Sequence, residues 1–245
     1  MSNSDKSHLS ASKTTVMILA AGEGRRMLPL TKSTPKPLLK IGKYSLLEHH
    51  LIRLESLGFK HIVINIAYLG SMIRQHIGDG SQFNLNVQYS DESSTGALET
   101  AGGILNALPL ISSKDFLVIN SDIWTDFDFL SLLESQDING SNQKLGTIVL
   151  VKNPEHNKLG DFNISNTGEL ILIDEKSSNT FTFSGIALYQ KSIFEGLRIS
   201  KQPLAPILKQ LIQDQALNKI VHTGIWTDVG TPARLEELNQ STTMT

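Results

Sequence analysis

Short apolar segments alternate with stretches of helical periodicity along this chain, and that order constrains the fold more than any other feature. Residues Thr15–Ala21 read TVMILAA, which has the length and composition of a buried strand. Similar apolar runs follow at His61–Ala67, Leu85–Ser90, Asp115–Asp122 and Leu145–Lys152. Strands separated by helices predict crossover connections. We therefore expect an α/β fold of Rossmann-like type, with a mixed, mostly parallel sheet flanked by helices.

Helical periodicity fills the intervals between these runs. In Ser45–Leu57 the leucines at positions 47, 51 and 54 fall on one face, and Gly58 follows as a stop signal. We expect His49 and His50 of this helix to face solvent. Further helices are predicted at residues 69–77, Thr100–Leu108, Leu204–Leu217 and Thr231–Gln240. Residues 160–190 carry shorter β-like runs separated by turn residues, so the second half is expected to be less regular.

The composition excludes several classes of protein. The chain has no cysteine, which rules out disulfides, thiolate catalysis and iron–sulfur ligation. Its 22 basic and 24 acidic residues leave a formal net charge of -2, so nucleic acid is not an expected partner. No window approaches the ~18 apolar residues of a membrane span. We expect a cytoplasmic protein with no membrane partner, and the sequence does not indicate an oligomeric state.

The start of the chain differs in character from the rest. Residues 1–13 read MSNSDKSHLSASK, which is polar, rich in serine and without the apolar core of a signal peptide. We expect residues 1–13 to be a disordered tail and residues 14–245 to form a single domain.

The first candidate motif follows the first strand directly. It reads LAAGEGRRM and spans Leu19–Met27. Small residues let a ligand approach the backbone N–H groups, and an arginine offers a planar fork of donors that suits phosphate. The motif is not a dinucleotide fingerprint, because Met27 stands where a third glycine belongs, and it lacks the Gly-Lys-Ser/Thr of a P-loop. Taken alone, the segment is also compatible with an ordinary turn that carries surface arginines.

A lysine between two prolines forms the second motif, Thr34-Pro35-Lys36-Pro37. The prolines restrict the backbone and are expected to hold residues 34 and 36 out of the helical region. Lys36 would then have a rigid base from which to aim its ammonium group. Together with Arg26 in the same loop it could neutralise a polyphosphate. A solvated lysine in a turn is the alternative.

Two aspartates follow apolar runs in distant parts of the chain. Asp122 comes after FLVIN, and Asp228 comes after IVHTGIW. Ligands of open parallel sheets bind at the carboxyl ends of the strands. Two carboxylates meeting there could share one Mg²⁺ together with substrate phosphates. Taken singly, either aspartate could instead be a turn or helix-cap residue.

These motifs together are similar to a known signature. LAAGEGRRMLPLT followed by TPKPLL resembles the pattern L-A-A-G-x-G-x-R-M-x-P-L-T, then P-K-P, of the sugar-1-phosphate nucleotidyltransferases. The resemblance extends over residues 15–240. It implies an α/β nucleotidyltransferase fold and a reaction that uses a divalent metal. In that reaction a nucleoside triphosphate and a sugar 1-phosphate give a nucleotide sugar and pyrophosphate.

The resemblance also implies roles for the matching residues. Arg26 and Lys36 would hold phosphates and act in catalysis, and Asp122 and Asp228 would bind Mg²⁺. The other residues implied to bind the nucleotide are Leu19, Ala20, Ala21, Gly22, Gly24, Leu98, Glu99 and Asn120. Those implied to bind the sugar are Gly160, Asp161 and Glu175. The domain would then have a nucleotide-binding half at about residues 14–125 and a sugar-binding half at about residues 126–240.

Several shorter segments narrow the resemblance within the family. They include NIAYLG, ALETAGGI, NSDIWTDFDF and WTDVGTPARL, and they resemble members that transfer a uridylyl group from UTP to N-acetylmuramate 1-phosphate in peptidoglycan recycling. Mannose-1-phosphate guanylyltransferases and glucose-1-phosphate uridylyl- or thymidylyltransferases share the phosphate machinery and remain alternatives. An alternative of another class is a non-catalytic nucleotide-sugar sensor.

Overall fold

The computed structural model describes residues 9–135, 144–175 and 177–243. The strands in these ranges are β1 (Thr15–Leu19), β2 (Lys40–Ile41), β3 (Tyr44–Ser45), β4 (His61–Ile66), β5 (Asn86–Asp91), β6 (Asp115–Asn120), β7 (Ile123–Thr125), β8 (Gly146–Val151), β9 (Phe162–Ile164), β10 (Leu170–Ile171), β11 (Thr180–Gln190), β12 (Leu217–His222) and β13 (Trp226–Asp228). The α-helices are α1 (Leu46–Ser56), α2 (Gly70–Ile77), α3 (Glu99–Ala107), α4 (Leu130–Glu134), α5 (Ala205–Gln213) and α6 (Pro232–Thr243).

A single large sheet organises the described residues. Its central strands lie in the order β5-β4-β1-β6-β11-β8-β12, and the β9–β10 pair joins the start of β11. β5, β4, β1 and β6 run parallel to one another, as do β8 and β12, whereas β11 is antiparallel to both of its neighbours β6 and β8. The expected mixed, mostly parallel sheet is therefore confirmed.

Helices cover both faces of this sheet. Val16 and Ile18 of β1 join a buried cluster that includes the leucines of α1, whereas Met17 joins a second cluster with α3 and α5. Successive side chains of a strand point to opposite faces, so this split identifies two cores, one on each side of the sheet. The apolar strand sequences follow from burial on both faces.

Local signals explain α1, and its periodicity corrects one expectation. The Ser45 hydroxyl accepts a hydrogen bond from the Glu48 amide at 3.2 Å, and the Glu48 carboxylate accepts one from the Ser45 amide at 2.7 Å, which is a complete capping box. His50 is buried, so its expected place at the surface is wrong. Position 50 lies on the same helical face as the buried leucines 47, 51 and 54.

Two other boundaries differ from expectation. Ala11–Lys13 form a 3-10 helix, and Leu9 and Ala11 pack against the core, so this part of the predicted disordered tail is ordered; residues 1–8 lie outside the described residues. Helix α5 ends at Gln213 rather than continuing to Leu217, which begins β12, a strand not expected from the sequence. Gln215 has a φ of 53°, which is incompatible with a continuing helix.

No helix within residues 9–135, 144–175 and 177–243 combines the length and the apolar character needed to cross a bilayer.

Gly185 lies where β11 changes register next to the end of β6. β11 pairs Phe183 with Leu150 and then Ala187 with Ile148, so one strand carries extra residues at this point. The φ of Gly185 is 79°, and a Cβ atom there would lie 2.5 Å from the side-chain nitrogen, Nδ2, of Asn120. The position therefore requires glycine for both its backbone and its space.

We expect Gly185→Ala to destabilise the fold more than Gly168→Ala. Both glycines have positive φ, 79° and 85°, but a Cβ at Gly168 meets no atom within 4 Å. Strain alone at Gly168 should lower the free energy of unfolding by about 1–2 kcal/mol. The clash with Asn120 should add a further loss of about 1–3 kcal/mol at Gly185. Urea denaturation of the two variants measures the difference, and equal losses would contradict the clash.

Candidate active site

The carboxyl ends of the central parallel strands form the floor of a cavity. Leu19 of β1 pairs with Asn65 of β4 on one side and with Asn120 of β6 on the other, so the three strands end at one level. A cavity of about 380 Å³, here called the first cavity, opens above them. Of the residues implied to bind the nucleotide, those that line it are Leu19, Ala20, Ala21, Gly22, Gly24, Arg26, Lys36, Glu99 and Asn120.

The long loop after β1 folds back on itself. The Thr31 hydroxyl donates to the Gly24 carbonyl at 2.9 Å, and a Cβ at Gly24 would lie 3.1 Å from the Lys36 Cβ. The close approach of Gly24 to Lys36 brings the Arg26 and Lys36 segments to the same cavity. Lys36 begins a 3-10 helix, Lys36–Leu38, so the expectation that the prolines keep it out of the helical region is wrong. The residue is nevertheless held firmly, because its side chain is largely buried.

A short antiparallel ribbon brings the two aspartates together. β7 pairs with β13, with Asp228 opposite Ile123, and the Val229 amide donates to the Asp122 carbonyl at 2.8 Å. Both aspartates line a second cavity of about 260 Å³ next to the first, and Asp122 lines both cavities. The expected meeting of the two carboxylates at one edge of the sheet is therefore what the structure contains.

Each of these carboxylates has a cationic partner. Lys36 donates to Asp122. Arg234, in the first turn of α6, donates to the Asp228 carboxylate, and also to its carbonyl at 2.9 Å. His156 Nε2 lies 3.1 Å from the same Asp228 oxygen. Arg234 therefore fixes both the backbone and the side chain of Asp228, and it does so at a site of low exposure, where charge-assisted bonds are strong.

Arg26 differs from the other cations of the site. Its side chain is exposed and lines both cavities, and the described residues give its guanidinium no hydrogen-bond or ion-pair partner. An unpaired arginine where two cavities meet is suited to a phosphate that spans them.

Helix α1 supports the ribbon from behind. Arg53 donates to the carbonyls of Thr125 and Phe127, and the His50 ring is buried near the backbone of Ile123. Burial, with a smaller contribution from Arg53, lowers the pKa of His50 to about 4. His50 is therefore neutral at physiological pH and adds no charge behind Asp122.

The second cavity is lined by residues other than those implied to bind the sugar. Besides Arg26, Asn120 and the two aspartates, its lining includes Ile123, His156, Asn157, Thr182, Phe183, Ser184 and Trp226. Asp161 accepts from the Phe183 amide at 2.8 Å and from Asn157 at 3.1 Å, so it supports the lining from behind. Gly160 forms the adjoining turn, where its φ is 72°, and Glu175 is exposed and lines neither cavity.

A chain of hydrogen bonds runs along the first cavity, and two of its members, Asn65 and Glu92, line the cavity. Asn65 accepts from the Ala20 amide at 2.7 Å and donates to Glu92 at 2.7 Å. The other Glu92 oxygen accepts from the Leu98 amide at 2.8 Å. Leu98 itself is buried and does not line the cavity, in contrast to the role implied for it. Burial raises the pKa of the Glu92 carboxyl.

Sequence reasoning missed Arg234, His156, Asn65 and Glu92. Two of them left a signal. Arg234 is a cation in the first turn of a helix, where the dipole disfavours positive charge, so its presence indicates a nearby anion. Asn65 interrupts the apolar run HIVINIA at the end that faces ligands. Glu92 directly follows β5 but belongs to no recognisable motif, and His156 lies five residues after the end of β8, where no spacing rule points to it.

Comparison with known proteins agrees with this geometry. Residues 15–245 match the Nucleotidyl transferase family. The chain belongs to that family. This nucleotidyltransferase is 43% identical over 222 residues to the N-acetylmuramate alpha-1-phosphate uridylyltransferase of Neisseria meningitidis serogroup B, an alignment that covers 90% of this chain and 95% of that protein. It is a sugar-1-phosphate nucleotidyltransferase, as the motif resemblance predicts.

More distant relatives share the fold. The nucleotidyltransferase is 30% identical over 227 residues to the mannose-1-phosphate guanylyltransferase catalytic subunit beta of Drosophila melanogaster, covering 89% of this chain and spanning 60% of that longer protein. It superposes on the structure of HddC from Yersinia pseudotuberculosis complexed with GMP-PN with a TM-score of 0.76, at 24% identity, over 94% of this chain and 99% of that one.

The donor set at the ribbon fits a magnesium ion. Within the described ranges, no group of three or more histidines and carboxylates is placed to hold a metal unaided. Mg²⁺ commonly takes only one or two protein carboxylates and completes its shell with water and substrate phosphates. Asp122 and Asp228 supply such a pair beside a cavity that is also lined by the cationic side chains of Arg26 and Lys36.

We expect His50→Leu to remove a pH-dependent contribution to stability. The unfolded chain binds a proton at His50 below its ordinary pKa of 6.5, whereas the folded protein does so only near pH 4. The wild type therefore loses stability as pH falls through this window, by about 3 kcal/mol at this residue. Urea denaturation between pH 4 and pH 8 gives the free energy of unfolding of the wild type and of His50→Leu. Between pH 8 and pH 4, the value of the wild type should fall by about 3 kcal/mol more than that of the variant. His61→Asn, at an exposed histidine, is the control and should follow the wild type. Parallel profiles for wild type and His50→Leu would show that His50 is not held neutral.

Proposed function

We propose that this nucleotidyltransferase transfers a uridylyl group from UTP to N-acetylmuramate 1-phosphate, releasing pyrophosphate and forming UDP-N-acetylmuramate for peptidoglycan recycling in the cytoplasm. The observation that carries the proposal is the pair of adjoining cavities that share Arg26, Asn120 and Asp122. A donor and an acceptor substrate bound in the two cavities would meet at these residues. The choice of uridylyl and N-acetylmuramate is supported by the relative of 43% identity from Neisseria meningitidis.

The first cavity has the features that a nucleoside triphosphate requires. The backbone of residues 19–22 offers a surface for the base, and Arg26 and Lys36 carry positive charge at the end of the cavity nearest Asp122. The second cavity would hold the sugar, with its phosphate near Arg26. This arrangement supports the division into a nucleotide-binding half, about residues 14–125, and a sugar-binding half, about residues 126–240.

The reaction needs positioning and charge stabilisation rather than a covalent intermediate. An oxygen of the sugar phosphate attacks the α-phosphorus of UTP in line, the bond from that phosphorus to the bridging oxygen of the β-phosphate breaks, and pyrophosphate leaves. The nucleophile is already an anion, so no general base is required. Arg26 and Lys36 stabilise the charge that develops on the phosphoryl oxygens.

Asp122 and Asp228 would hold Mg²⁺, which supplies charge neutralisation to the phosphates when bound. In the structure Lys36 neutralises Asp122 and Arg234 neutralises Asp228. These pairs hold both carboxylates in place and compensate each negative charge locally.

Two other functions are separable by experiment. A guanylyltransferase acting on mannose 1-phosphate is favoured by the similarity to the Drosophila melanogaster protein. A nucleotide-sugar sensor would need no metal pair, so Asp122 and Asp228 together argue against it.

The function is tested by pyrophosphate release with N-acetylmuramate 1-phosphate and Mg²⁺, comparing UTP with GTP, dTTP, CTP and ATP. Release with UTP alone supports the proposal. Release only with GTP and mannose 1-phosphate would replace it with the guanylyltransferase, and nucleotide-sugar binding without any release would replace it with the sensor.

Lys36→Ala should lower kcat by about 10²–10³, the usual effect of removing one donor that stabilises transition-state charge. Lys32→Ala is the matched control, because Lys32 is an exposed lysine of the same loop that lines neither cavity. Circular dichroism should show both variants folded. Turnover of Lys36→Ala within twofold of Lys32→Ala would remove Lys36 from the mechanism.

Asp122→Asn and Asp228→Asn should each raise the Mg²⁺ concentration that gives half-maximal activity by about tenfold or more, since a neutral amide is a weaker ligand for a hard cation. Titration of pyrophosphate release with Mg²⁺ measures the change. Asp214→Asn, at an exposed helix end, controls for the loss of one negative charge. The shared-ion hypothesis fails if both site variants titrate like this control.

A further inference from the structure

Arg25 is a cation of the first cavity that the proposed mechanism does not use. It lies directly before Arg26, in the 3-10 helix Arg25–Met27, and its side chain lines the cavity while remaining 82% exposed. Its recorded partner is Glu23, whose carboxylate accepts a hydrogen bond from Arg25 Nε at 2.6 Å. The motif pattern L-A-A-G-x-G-x-R-M leaves positions 23 and 25 open, so this ion pair is a feature of this chain and not of the signature.

The short 3-10 helix separates the directions of its three side chains. A 3-10 helix has three residues per turn, so successive side chains project about 120° apart. Met27 is fully buried, and Arg26 lines both cavities. Arg25 lines the first cavity and not the second. The two consecutive arginines therefore serve different parts of the site.

The direction of the proposed reaction indicates which part Arg25 serves. In an in-line displacement, the leaving group departs on the side opposite to the nucleophile. The sugar phosphate would approach from the second cavity, so the pyrophosphate would depart within the first cavity, on the side away from the second. Lys36 is bonded to Asp122, and Arg26 lines both cavities. Arg25 is thus the cation of the described cavity lining that stands away from the junction of the two cavities.

The ion pair between Arg25 and Glu23 is suited to exchange. The two side chains are 82% and 48% exposed, and solvent weakens the attraction between charges at such positions. A polyphosphate offers more negative charge and accepts hydrogen bonds from both edges of a guanidinium. The hydrogen bond from Arg25 is the main cause that lowers the pKa of the Glu23 carboxyl, and the charge of Lys201 contributes as well. Glu23 therefore keeps a cation nearby when Arg25 turns to a ligand.

We propose that Arg25 binds the β- and γ-phosphates of the nucleoside triphosphate and the pyrophosphate formed from them, and that Glu23 holds its guanidinium at the cavity rim until a polyphosphate replaces it. The inference rests on the proposed transfer from a nucleoside triphosphate, but not on the identity of the base. Arg25 would then stabilise the leaving group and distinguish a triphosphate from a monophosphate.

The experiment measures two quantities on the full chain. Calorimetric titration with UTP and with UMP, each with Mg²⁺ and without sugar phosphate, separates the terminal phosphates from the rest of the nucleotide. The reverse reaction, starting from UDP-N-acetylmuramate, gives the KM for pyrophosphate. Arg25→Ala should weaken UTP binding and raise this KM by about tenfold, which is the effect of losing one charge-assisted contact. Its affinity for UMP should stay within about twofold of the wild type.

Arg74→Ala is the matched control. Arg74 is another exposed arginine with a carboxylate partner, Asp91, at 3.4 Å, and it lines neither cavity. This variant should match the wild type with UTP, UMP and pyrophosphate.

A double variant separates contact from charge compensation. Removal of Arg25 also leaves the Glu23 carboxylate without its hydrogen-bond partner, and its repulsion of phosphates could weaken binding by itself. Glu23→Gln alone should bind UTP and pyrophosphate at least as tightly as the wild type, because no carboxylate then competes for the guanidinium. If Arg25 contacts the phosphates, Glu23→Gln/Arg25→Ala should bind them about tenfold more weakly than Glu23→Gln.

Three results would overturn the inference. Unchanged UTP affinity and unchanged KM for pyrophosphate in Arg25→Ala would leave Arg25 without a ligand. Equal weakening of UTP and UMP would place Arg25 at the nucleoside or the α-phosphate instead. A double variant that equals Glu23→Gln would show that Arg25 only neutralises Glu23. A wild type that uses GTP and not UTP contradicts the proposed base alone, and the same variants are then compared with GTP and GMP.

Discussion

A three-residue antiparallel ladder between β7 and β13 determines where the chemistry of this molecule lies. It joins two segments that are far apart in the chain, and it brings Asp228 of β13 next to Asp122, which immediately precedes β7. Both carboxylates line the second cavity, and the surrounding residues supply each of them with a positively charged partner. Lys36 and Arg234 compensate one carboxylate each, and a neutral His50 lies behind them rather than a charged residue.

The two compensating cations differ in a way that matters for catalysis. One guanidinium nitrogen of Arg234 donates to both the carbonyl and the carboxylate of Asp228, so the position of Arg234 is fixed relative to β13. Lys36 is a point charge on a flexible stem, and its recorded partner is a single carboxylate oxygen. Under the proposed function, a cation at the aspartate pair would replace the Lys36 ammonium as the partner of Asp122, and the ammonium would then be available to a phosphate in the first cavity. Arg26, which has no partner among the described residues, needs no such exchange.

Much of the central sheet can be predicted from the sequence, because a strand that is buried on both faces consists almost entirely of apolar residues. The apolar runs of β1, β4 and β6 mark central strands, and the polar residues that follow them mark the ligand edge. The strand β12 was not foreseen, since its residues LNKIVH are only partly buried and follow a helix without a glycine stop. The lining of the second cavity is the part that the sequence predicts least well. It is assembled from single residues of several loops and of β11, and their contacts depend on tertiary packing that no local pattern encodes.

The composition of the ribbon also has a spectroscopic consequence. The chain contains two tryptophans, and both are in this ladder: Trp124 of β7 lies opposite Thr227, and Trp226 of β13 lies opposite Thr125. Trp226 also donates to the Ser184 carbonyl at 3.0 Å and lines the second cavity. The intrinsic fluorescence of the protein therefore arises almost entirely from the element that carries the two aspartates. A ligand that enters the second cavity should therefore change the emission of the protein without any added label.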